Sequence, residues 1–240
     1  MRLAVISDVH GNRLALDAVL ADIALQGVDA TVCLGDHVSG PLDPVGSVER
    51  IMALDGPVIR GNHDRWLLER AGTDLDAVDR FALAQLDAGH RAWLQALPAT
   101  SVVDNAVFLC HGTPTSDNTV WLDNYWYDRQ TTLPSEESIM GHAAGVDYPV
   151  ILCGHTHVAR SVRLRDGRLI VNPGSVGVQV VHGSPDARYA VIERRAGQWF
   201  TSIRTVPYDH DAAAEQARAN GFAGWVEALS TGWADPEGLF

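Results

Sequence analysis

Short apolar runs recur along the chain, and most of them are followed at once by Asp, Asn or His. The runs are rich in β-branched residues and occupy residues 3–6, 31–34, 58–59, 107–110 and 150–153. Continuous apolar runs of this kind predict strands that are buried on both faces of a sheet. Because the polar residues follow the strand ends, we expect their side chains to converge on one edge of the fold.

Helical patterns separate these predicted strands in the first half of the chain. Asn12 is placed to cap one helix, and Asp43 precedes a proline in the arrangement typical of a helix start. Residues 65–97 predict two further helices, broken near Gly72 and Gly89. The first half therefore alternates strand and helix.

Antiparallel hairpins dominate the pattern of the second half. Asp166-Gly167 is a strong two-residue turn signal between two strands, and Ala196-Gly197 separates a second pair. Together the two halves predict an α/β fold in which two mixed sheets pack face to face with helices outside. We expect one domain over residues 1–240, with an insert at 113–148 that overhangs the site and a C-terminal helical tail at 207–240.

Composition narrows the function, because all 18 basic residues are arginine and the chain contains no lysine. A P-loop, a protein-kinase site and a Schiff-base site each require lysine, so these classes are excluded. The formal net charge of −12 disfavours a stable nucleic-acid partner. A small phosphorylated substrate is compatible with it, since bound cations reverse the field of a carboxylate-rich site. Cys33, Cys110 and Cys153 lie in apolar runs and are expected to be buried small residues, with soft metal ligation as the alternative.

The sequence shows neither a secretory signal nor a run long enough to cross a membrane. No apolar stretch approaches the roughly 20 residues that a bilayer requires. We therefore expect a cytoplasmic protein without a membrane partner. Oligomerisation stays open, because Trp225, Trp233 and Leu239-Phe240 serve either an interface or the packing of the tail.

The polar residues at the strand ends carry side chains that bind transition metals. They are two carboxylates, one amide and four imidazoles: Asp8, His10, Asp36, Asn62, His111, His155 and His157. Such a mixed oxygen and nitrogen set suits Mn, Fe, Zn or Ni better than Ca or Mg. Two ions roughly 3.5–4 Å apart activate water and stabilise displacement at phosphorus. Each motif alone is common in ordinary loops, so the prediction depends on their coincidence.

The order of these motifs resembles the signature of the calcineurin-like metallophosphoesterases. That signature runs Asp-x-His, Gly-Asp, Gly-Asn-His-Asp/Glu, His and Gly-His-x-His, and residues 8–157 contain every element in order. The stretch at 172–177 also resembles small bacterial and archaeal members. The resemblance implies a four-layer α/β/β/α sandwich of two mixed sheets with a dinuclear metal centre, and hence a hydrolase acting on phosphoester bonds.

The resemblance also implies a role for each motif residue. The first metal would be bound by Asp8, His10 and His157, the second by Asn62, His111 and His155, with Asp36 bridging. His63 would approach the phosphate and protonate the leaving oxygen, Asp64 would orient the His63 imidazole, and Asn62 would also contact substrate. The ions are expected to be divalent or trivalent transition metals, manganese first, with iron, zinc and nickel as alternatives.

Several residues near the motifs admit either a substrate role or an ordinary structural one. His37 either contacts substrate or belongs to its loop, and Arg160 and Arg163 either grip a phosphate or face solvent on a strand. Four aromatic residues of the insert either stack on a nucleobase or form a small core or interface: Trp121, Tyr125, Trp126 and Tyr127.

Three functions stay open on the sequence. The first is hydrolysis of small, including nucleotidic, phosphomonoesters or phosphodiesters. The second is a protein phosphatase or a dinucleoside polyphosphate hydrolase. The third is a binding scaffold without catalysis, as in the retromer subunit of this fold. That subunit departs from the motif at the histidine matching His63, whereas the motif here is intact.

Overall fold

Eleven strands and eight α-helices are assigned in the computed structural model, which describes residues 1–70, 74–126, 130–180 and 183–233. The strands are β1 (Arg2–Ile6), β2 (Ala30–Cys33), β3 (Ser101–Val103), β4 (Val107–Leu109), β5 (Asn124–Trp126), β6 (Gln130–Thr132), β7 (Val150–Leu152), β8 (Arg160–Arg163), β9 (Leu169–Asn172), β10 (Ala187–Arg195) and β11 (Gln198–Val206). The helices are α1 (Arg13–Ala24), α2 (Pro44–Met52), α3 (Asn62–Glu69), α4 (Ala77–Gln85), α5 (Ala88–Ala96), α6 (Glu136–His142), α7 (His210–Ala219) and α8 (Val226–Thr231).

Two mixed sheets form the centre of the fold. The first has the order β11-β10-β1-β2, in which β1 and β2 are parallel and the other neighbours are antiparallel. The second has the order β3-β4-β7-β9-β8, with a parallel centre of β4, β7 and β9 and an antiparallel strand at each edge. Because β1, β2, β4 and β7 run into ligand-bearing loops, their carboxyl ends place those loops together.

Alternating side chains of the strands build the layers above and below the sheets. Leu3 and Val5 of β1 share a buried cluster with side chains of β4, β7 and β9, which places the two sheets face to face. Ile6 belongs to a second cluster with Leu16 of α1, on the outer face of the first sheet. Ile151 packs in a third cluster with residues of α6, on the outer face of the second sheet. This arrangement confirms the predicted α/β/β/α sandwich.

The region predicted as two helices over 65–97 contains three instead. Helix α3 begins at Asn62 within the Gly-Asn-His-Asp motif. The breaks between the three helices coincide with aspartate N-caps rather than with glycines. The side chains of Asp76 and Asp87 accept hydrogen bonds at the starts of α4 and α5, as N-caps do. Gly89 lies inside α5, and the break predicted near it falls two residues earlier, at Leu86 and Asp87. Gly72 lies outside the described residues.

The other predicted boundaries agree with the structure. The Asn12 side chain caps α1, and the Asp43 side chain caps α2 with proline at its start. The turn at Asp166-Gly167 joins β8 to β9, and Ala196 and Gly197, both with positive φ, join β10 to β11. No helix in the described part of the chain is long and apolar enough to cross a membrane.

The tail packs on the body of the fold. A 3₁₀ turn over Ala223–Trp225 leads from α7 into α8, and Trp225 is 2% exposed within a cluster that also contains Leu42 and Val178. Trp225 therefore packs the tail, whereas Trp233 is 56% exposed. Leu239-Phe240 lies outside the described residues.

Candidate metal centre

The predicted ligands at the strand ends adopt an unusual backbone conformation. In the part of the chain that the structure describes, eight non-glycine residues have positive φ, and five of them are predicted ligands: Asp8, His10, Asp36, His155 and His157. Such a conformation costs roughly 1–3 kcal/mol and persists where the surroundings enforce it, often at functional sites. Hydrogen bonds enforce it here, because the N–H groups of Asp8 and His10 donate to the carbonyls of Gly35 and Asp36.

Two motif glycines allow the loops after β2 and before α3 to touch. Gly35 has a φ of +111°, and a Cβ atom on it would overlap the backbone of Gly61. A Cβ atom on Gly61 would in turn overlap the carboxylate of Asp36. These glycines are therefore required by close approach of two chain segments.

The loops after β1 and β7 bring together a first group of ligands. Single ligand atoms of Asp8, His10 and His157 lie within 4.8 Å of one another. His10 Nε2 is 3.1 Å from His157 Nε2, and His157 Nε2 is 3.5 Å from Asp8 Oδ1. All three residues are buried. This is the set predicted for the first metal.

A second group lies beside the first. Single ligand atoms of Asp36, His111 and His155 also lie within 4.8 Å of one another. His111 Nε2 is 3.0 Å from Asn62 Oδ1 and 3.1 Å from Asp36 Oδ2. The same Asp36 oxygen is 3.9 Å from His10 Nε2 in the first group. Asp36 thus lies between the groups, where the sequence places a bridging ligand.

Backbone carbonyls fix the orientation of three imidazoles. The Nδ1 atoms of His10, His111 and His157 lie 2.7–2.8 Å from the carbonyl oxygens of Ser39, Leu34 and Val178, respectively. Because a carbonyl accepts only, each Nδ1–H donates, and Nε2 is the ring nitrogen that faces the centre of the cluster. Outer contacts of this kind orient histidine ligands in metal sites.

Burial and neighbouring charges perturb the pKa values of the cluster. Burial raises the pKa of Asp8, against the opposing charges of His157 and His111. Burial and the nearby His157 lower the pKa of His10 well below its usual value. Burial and the charge of His111 lower the pKa of His155 to about 4. His10 and His155 are therefore neutral near neutral pH, as metal ligation requires.

The donor set fits the metal ions that the motifs imply. Asp8 Oδ1 is buried and has no hydrogen-bond partner within the described part of the chain, although it faces His157 and His111. A buried anionic oxygen without a donor is costly, and a cation held with His10 and His157 would satisfy it. The carboxylate, imidazole and amide donors match a transition metal.

His63 lies at the edge of this cluster, but Asp64 does not face its ring. The ring centroids of His63 and His10 are 5.4 Å apart. The Asp64 carboxylate instead accepts backbone N–H groups of Asp36, His37 and Gly61 at 2.8–3.0 Å. The prediction that Asp64 orients His63 is therefore wrong; Asp64 ties the two motif loops together.

A different carboxylate faces His63. Asp79 of α4 is fully buried, and its Oδ1 lies 3.4 Å from His63 Nδ1. Burial lowers the pKa of His63, but the charges of Asp36 and Asp79 outweigh burial and leave that pKa raised. The sequence analysis missed Asp79, which is 16 residues from His63 and belongs to no motif. The only local signal was its position in the first turn of a capped helix.

His37 is not placed to meet a substrate. Its side chain is fully buried, with Nε2 at 3.1 Å from the Ile59 carbonyl and Nδ1 at 3.5 Å from Cys33 Sγ. The ring also contacts Trp93. The prediction of substrate contact is therefore wrong, and His37 supports the loop from inside. All three cysteines are free and buried, as expected.

The two arginines after the last motif have protein partners. Arg160 binds the buried carboxylate of Asp123, which also accepts a hydrogen bond from Thr156. Arg163 donates to the carbonyls of Gly167 and Trp199. Both guanidinium groups are engaged by the protein, which disfavours the alternative of a phosphate grip.

The first residues of the insert contact helix α3. The Arg65 guanidinium of α3 donates twice to the carboxylate of Asp117, at 2.7 and 2.8 Å. Trp121 is buried and packs with α6, so it belongs to the core of the insert. Tyr127 and the side chains of Tyr125 and Trp126 lie outside the described residues.

Comparison with known proteins gives a family and a fold. A model of the calcineurin-like phosphoesterase superfamily domain matches residues 1–197. An uncharacterized protein of Methanocaldococcus jannaschii is 27% identical, over 93% of this chain and 95% of that protein. The crystal structure of a metallophosphoesterase from Sphaerobacter thermophilus is similar with a TM-score of 0.77 and 29% identity, covering 97% of this chain and 100% of that one.

A second solved structure, of a protein provisionally named as a diadenosine tetraphosphatase, has a TM-score of 0.53 and 20% identity. The similarity covers 84% of this chain and 93% of that one, and it shows likeness of fold alone. The family model, by contrast, spans most of the sequence and every motif at the site. The chain therefore belongs to the calcineurin-like phosphoesterase superfamily.

Proposed function

We propose that this protein is a hydrolase that uses two transition-metal ions to cleave phosphoester bonds of small substrates. The observation that carries the proposal is the pair of adjacent ligand groups with Asp36 between them. Two ions so held supply an activated water and charge stabilisation at phosphorus. Manganese is the metal we expect first, in keeping with the oxygen and nitrogen donors.

The chain's own residues have distinct parts in this reaction. The first ion would be held by Asp8, His10 and His157, the second by Asn62, His111 and His155, and Asp36 would contact both. The buried His63 protonates the departing oxygen, which suits a histidine whose pKa is raised by nearby carboxylates. We infer no role for His37 in substrate binding, because its ring is turned inward.

A substrate panel tests the reaction class. The protein loaded with Mn²⁺ would be assayed with a phosphomonoester, a phosphodiester, a cyclic nucleotide, a dinucleoside tetraphosphate and a phosphopeptide. We expect preference for a small ester, nucleotides included. Preference for the tetraphosphate would instead favour the activity after which the neighbour of similar fold is provisionally named. Absence of turnover with Mn²⁺, and equally after loading with iron, zinc or nickel, would overturn the proposal in favour of a scaffold.

Replacement of His63 tests its assignment separately. His63→Ala should lower kcat by about 10²- to 10⁴-fold, the usual contribution of a general acid, while the metal content stays near that of the wild type. His142→Ala on α6 is the matched control, because that side chain is exposed on the outer layer. Unchanged turnover of His63→Ala would rule out the acid role.

A further inference from the structure

Packing alone does not explain why the side chain of Asp79 is buried. It occupies the buried face of α4 between Val78 and Ala82, where an apolar side chain would fit the pattern. Its Oδ2 is buried without a hydrogen-bond partner within the described part of the chain. Burying a carboxylate in this way is costly unless it serves an interaction. The side-chain contact that the structure shows for this carboxylate is between Oδ1 of Asp79 and Nδ1 of His63.

The start of α4 fixes this carboxylate in place. The Asp76 side chain caps the helix by accepting the N–H of Asp79 at 2.7 Å. Asp79 therefore sits in the first turn of a nine-residue helix, where the helix dipole favours a negative charge. Helix α4 packs against α3, which carries His63. The backbone of Asp79 is thus set by contacts that do not involve the metal ligands.

The direction of the hydrogen bond follows from the chemistry of the two groups. An ionised carboxylate only accepts, so Nδ1 of His63 must carry the proton that faces Asp79. The second ring nitrogen, Nε2, is then the one that can exchange a proton with a substrate. Asp64 cannot do this, because backbone N–H groups occupy its carboxylate.

We propose that Asp79 is the positioning residue of His63: it holds the Nδ1–H tautomer and aims Nε2 at the leaving oxygen. This inference rests on the proposed function. In the step, the oxygen of water bonds to phosphorus and the bond from phosphorus to the leaving oxygen breaks. The leaving oxygen keeps the electron pair and takes the Nε2 proton of the His63 imidazolium, which leaves the neutral Nδ1–H tautomer, and a proton lost by the attacking water returns to Nε2.

Leaving-group dependence tests the proposal through activity. The assay compares p-nitrophenyl and phenyl esters of whichever class, monoester or diester, the wild type hydrolyses. Asp79→Asn should lower kcat by roughly 10- to 100-fold on the phenyl ester, whose leaving group needs a proton, and by less than about threefold on the p-nitrophenyl ester. KM should change by less than about twofold, since Asp79 does not touch substrate. Equal losses on both esters would overturn the positioning role.

A double variant and a matched control sharpen the result. His63→Ala combined with Asp79→Asn should be no slower than His63→Ala alone, because residues that act as a unit are not additive. Asp87→Asn removes a charge from the start of the neighbouring helix α5 but still caps it, so its leaving-group dependence should match the wild type. Additive losses in the double variant would contradict the proposal. Loss of one metal equivalent in Asp79→Asn would also contradict it, because Asp79 would then be a metal ligand in the group formed by His63, Asp76 and Asp79.

The tautomer of His63 gives a readout that needs no turnover. In ¹⁵N NMR of the metal-free protein, recorded at a pH where the ring is neutral, we expect Nδ1 of His63 to be protonated in the wild type and this preference to be lost in Asp79→Asn. An Nε2–H tautomer in the wild type would overturn the proposal. Failure of the wild type to hydrolyse any ester would overturn the proposed function, whereas the NMR result would still decide whether Asp79 sets the ring.

Discussion

Replacing Asp8 with asparagine is expected to raise the stability of the metal-free protein and to reduce the stabilisation that metal gives. In the metal-free protein, Asp8 Oδ1 is buried and has no hydrogen-bond partner within the described residues. His157 Nε2 lies 3.5 Å from it. An asparagine Nδ2 in the same place can donate to that nitrogen, and the other oxygen can still accept the N–H of His155. The variant therefore exchanges a buried carboxylate oxygen that lacks a donor for an amide group that donates a hydrogen bond.

The magnitude follows from the cost of the buried oxygen. An unsatisfied buried acceptor costs about 1–3 kcal/mol, so the metal-free variant should be more stable than the wild type by roughly that amount. For a chain of this size, 1 kcal/mol moves Tm by about 2–4 °C, which predicts a rise of about 2–12 °C. With metal at 100 times Kd, binding raises the free energy of unfolding of the wild type by about 2.7 kcal/mol per site. If the variant binds metal a hundredfold more weakly, the same metal concentration raises its free energy of unfolding by only about 0.4 kcal/mol.

Thermal unfolding in EDTA and in excess Mn²⁺ measures both effects. The expected result is a higher Tm than the wild type in EDTA and a much smaller increase on adding Mn²⁺. Asp147→Asn is the control, since Asp147 is exposed and the substitution should leave both values unchanged. A variant that loses stability in EDTA, or keeps the full increase with Mn²⁺, would refute the assignment of Asp8 as a buried metal ligand.

Three further substitutions test other parts of the structure. Gly61→Ala should lower the free energy of unfolding by about 1–3 kcal/mol, because the new Cβ atom overlaps the carboxylate of Asp36. It should also lower the metal content measured by elemental analysis. Gly141→Ala is the control and should not destabilise the protein, because a Cβ atom at this position of α6 meets open space. Arg65→Met should make residues 113–123 more sensitive to limited proteolysis, because the partly buried ion pair between Arg65 and Asp117 is lost. Adding Asp117→Asn should restore part of the resistance, because it removes the carboxylate left without its partner. Trp225→Ala should lower the free energy of unfolding in urea by about 3–5 kcal/mol if the tail packs on the body as described; a change below about 1 kcal/mol would contradict that packing.

The strand pattern and the ligand set were predictable because both have local signatures. An apolar run predicts a buried strand, and a ligand at its end follows from the order of the motifs. The structure brings together Asp8, His10 and His157 in one group and Asp36, His111 and His155 in another, as the family resemblance implies. The helix boundaries between 62 and 96 were also encoded locally, but in aspartate caps at Asp76 and Asp87 rather than in the glycines on which the prediction relied.

Pairings between distant side chains were not predictable from local patterns. The assignment of Asp64 to His63 relied on adjacency in sequence, yet in α3 the Asp64 carboxylate points back to the loop N–H groups. His37, next to a ligand in sequence, faces Ile59 in the interior. Successive residues point in different directions along a loop or helix, so adjacency in sequence does not give a shared partner.

The sequence by itself determined the kind of chemistry: which residues can bind metal, their order, and the strands that deliver them. The tertiary structure alone decided which carboxylate serves His63, which carbonyls orient the ligand imidazoles, and which ligands adopt left-handed backbone. The physical reason is that periodicity and capping depend on neighbours a few positions away. The contact of His10 with His157, by contrast, joins residues 147 positions apart and exists only because two sheets pack face to face.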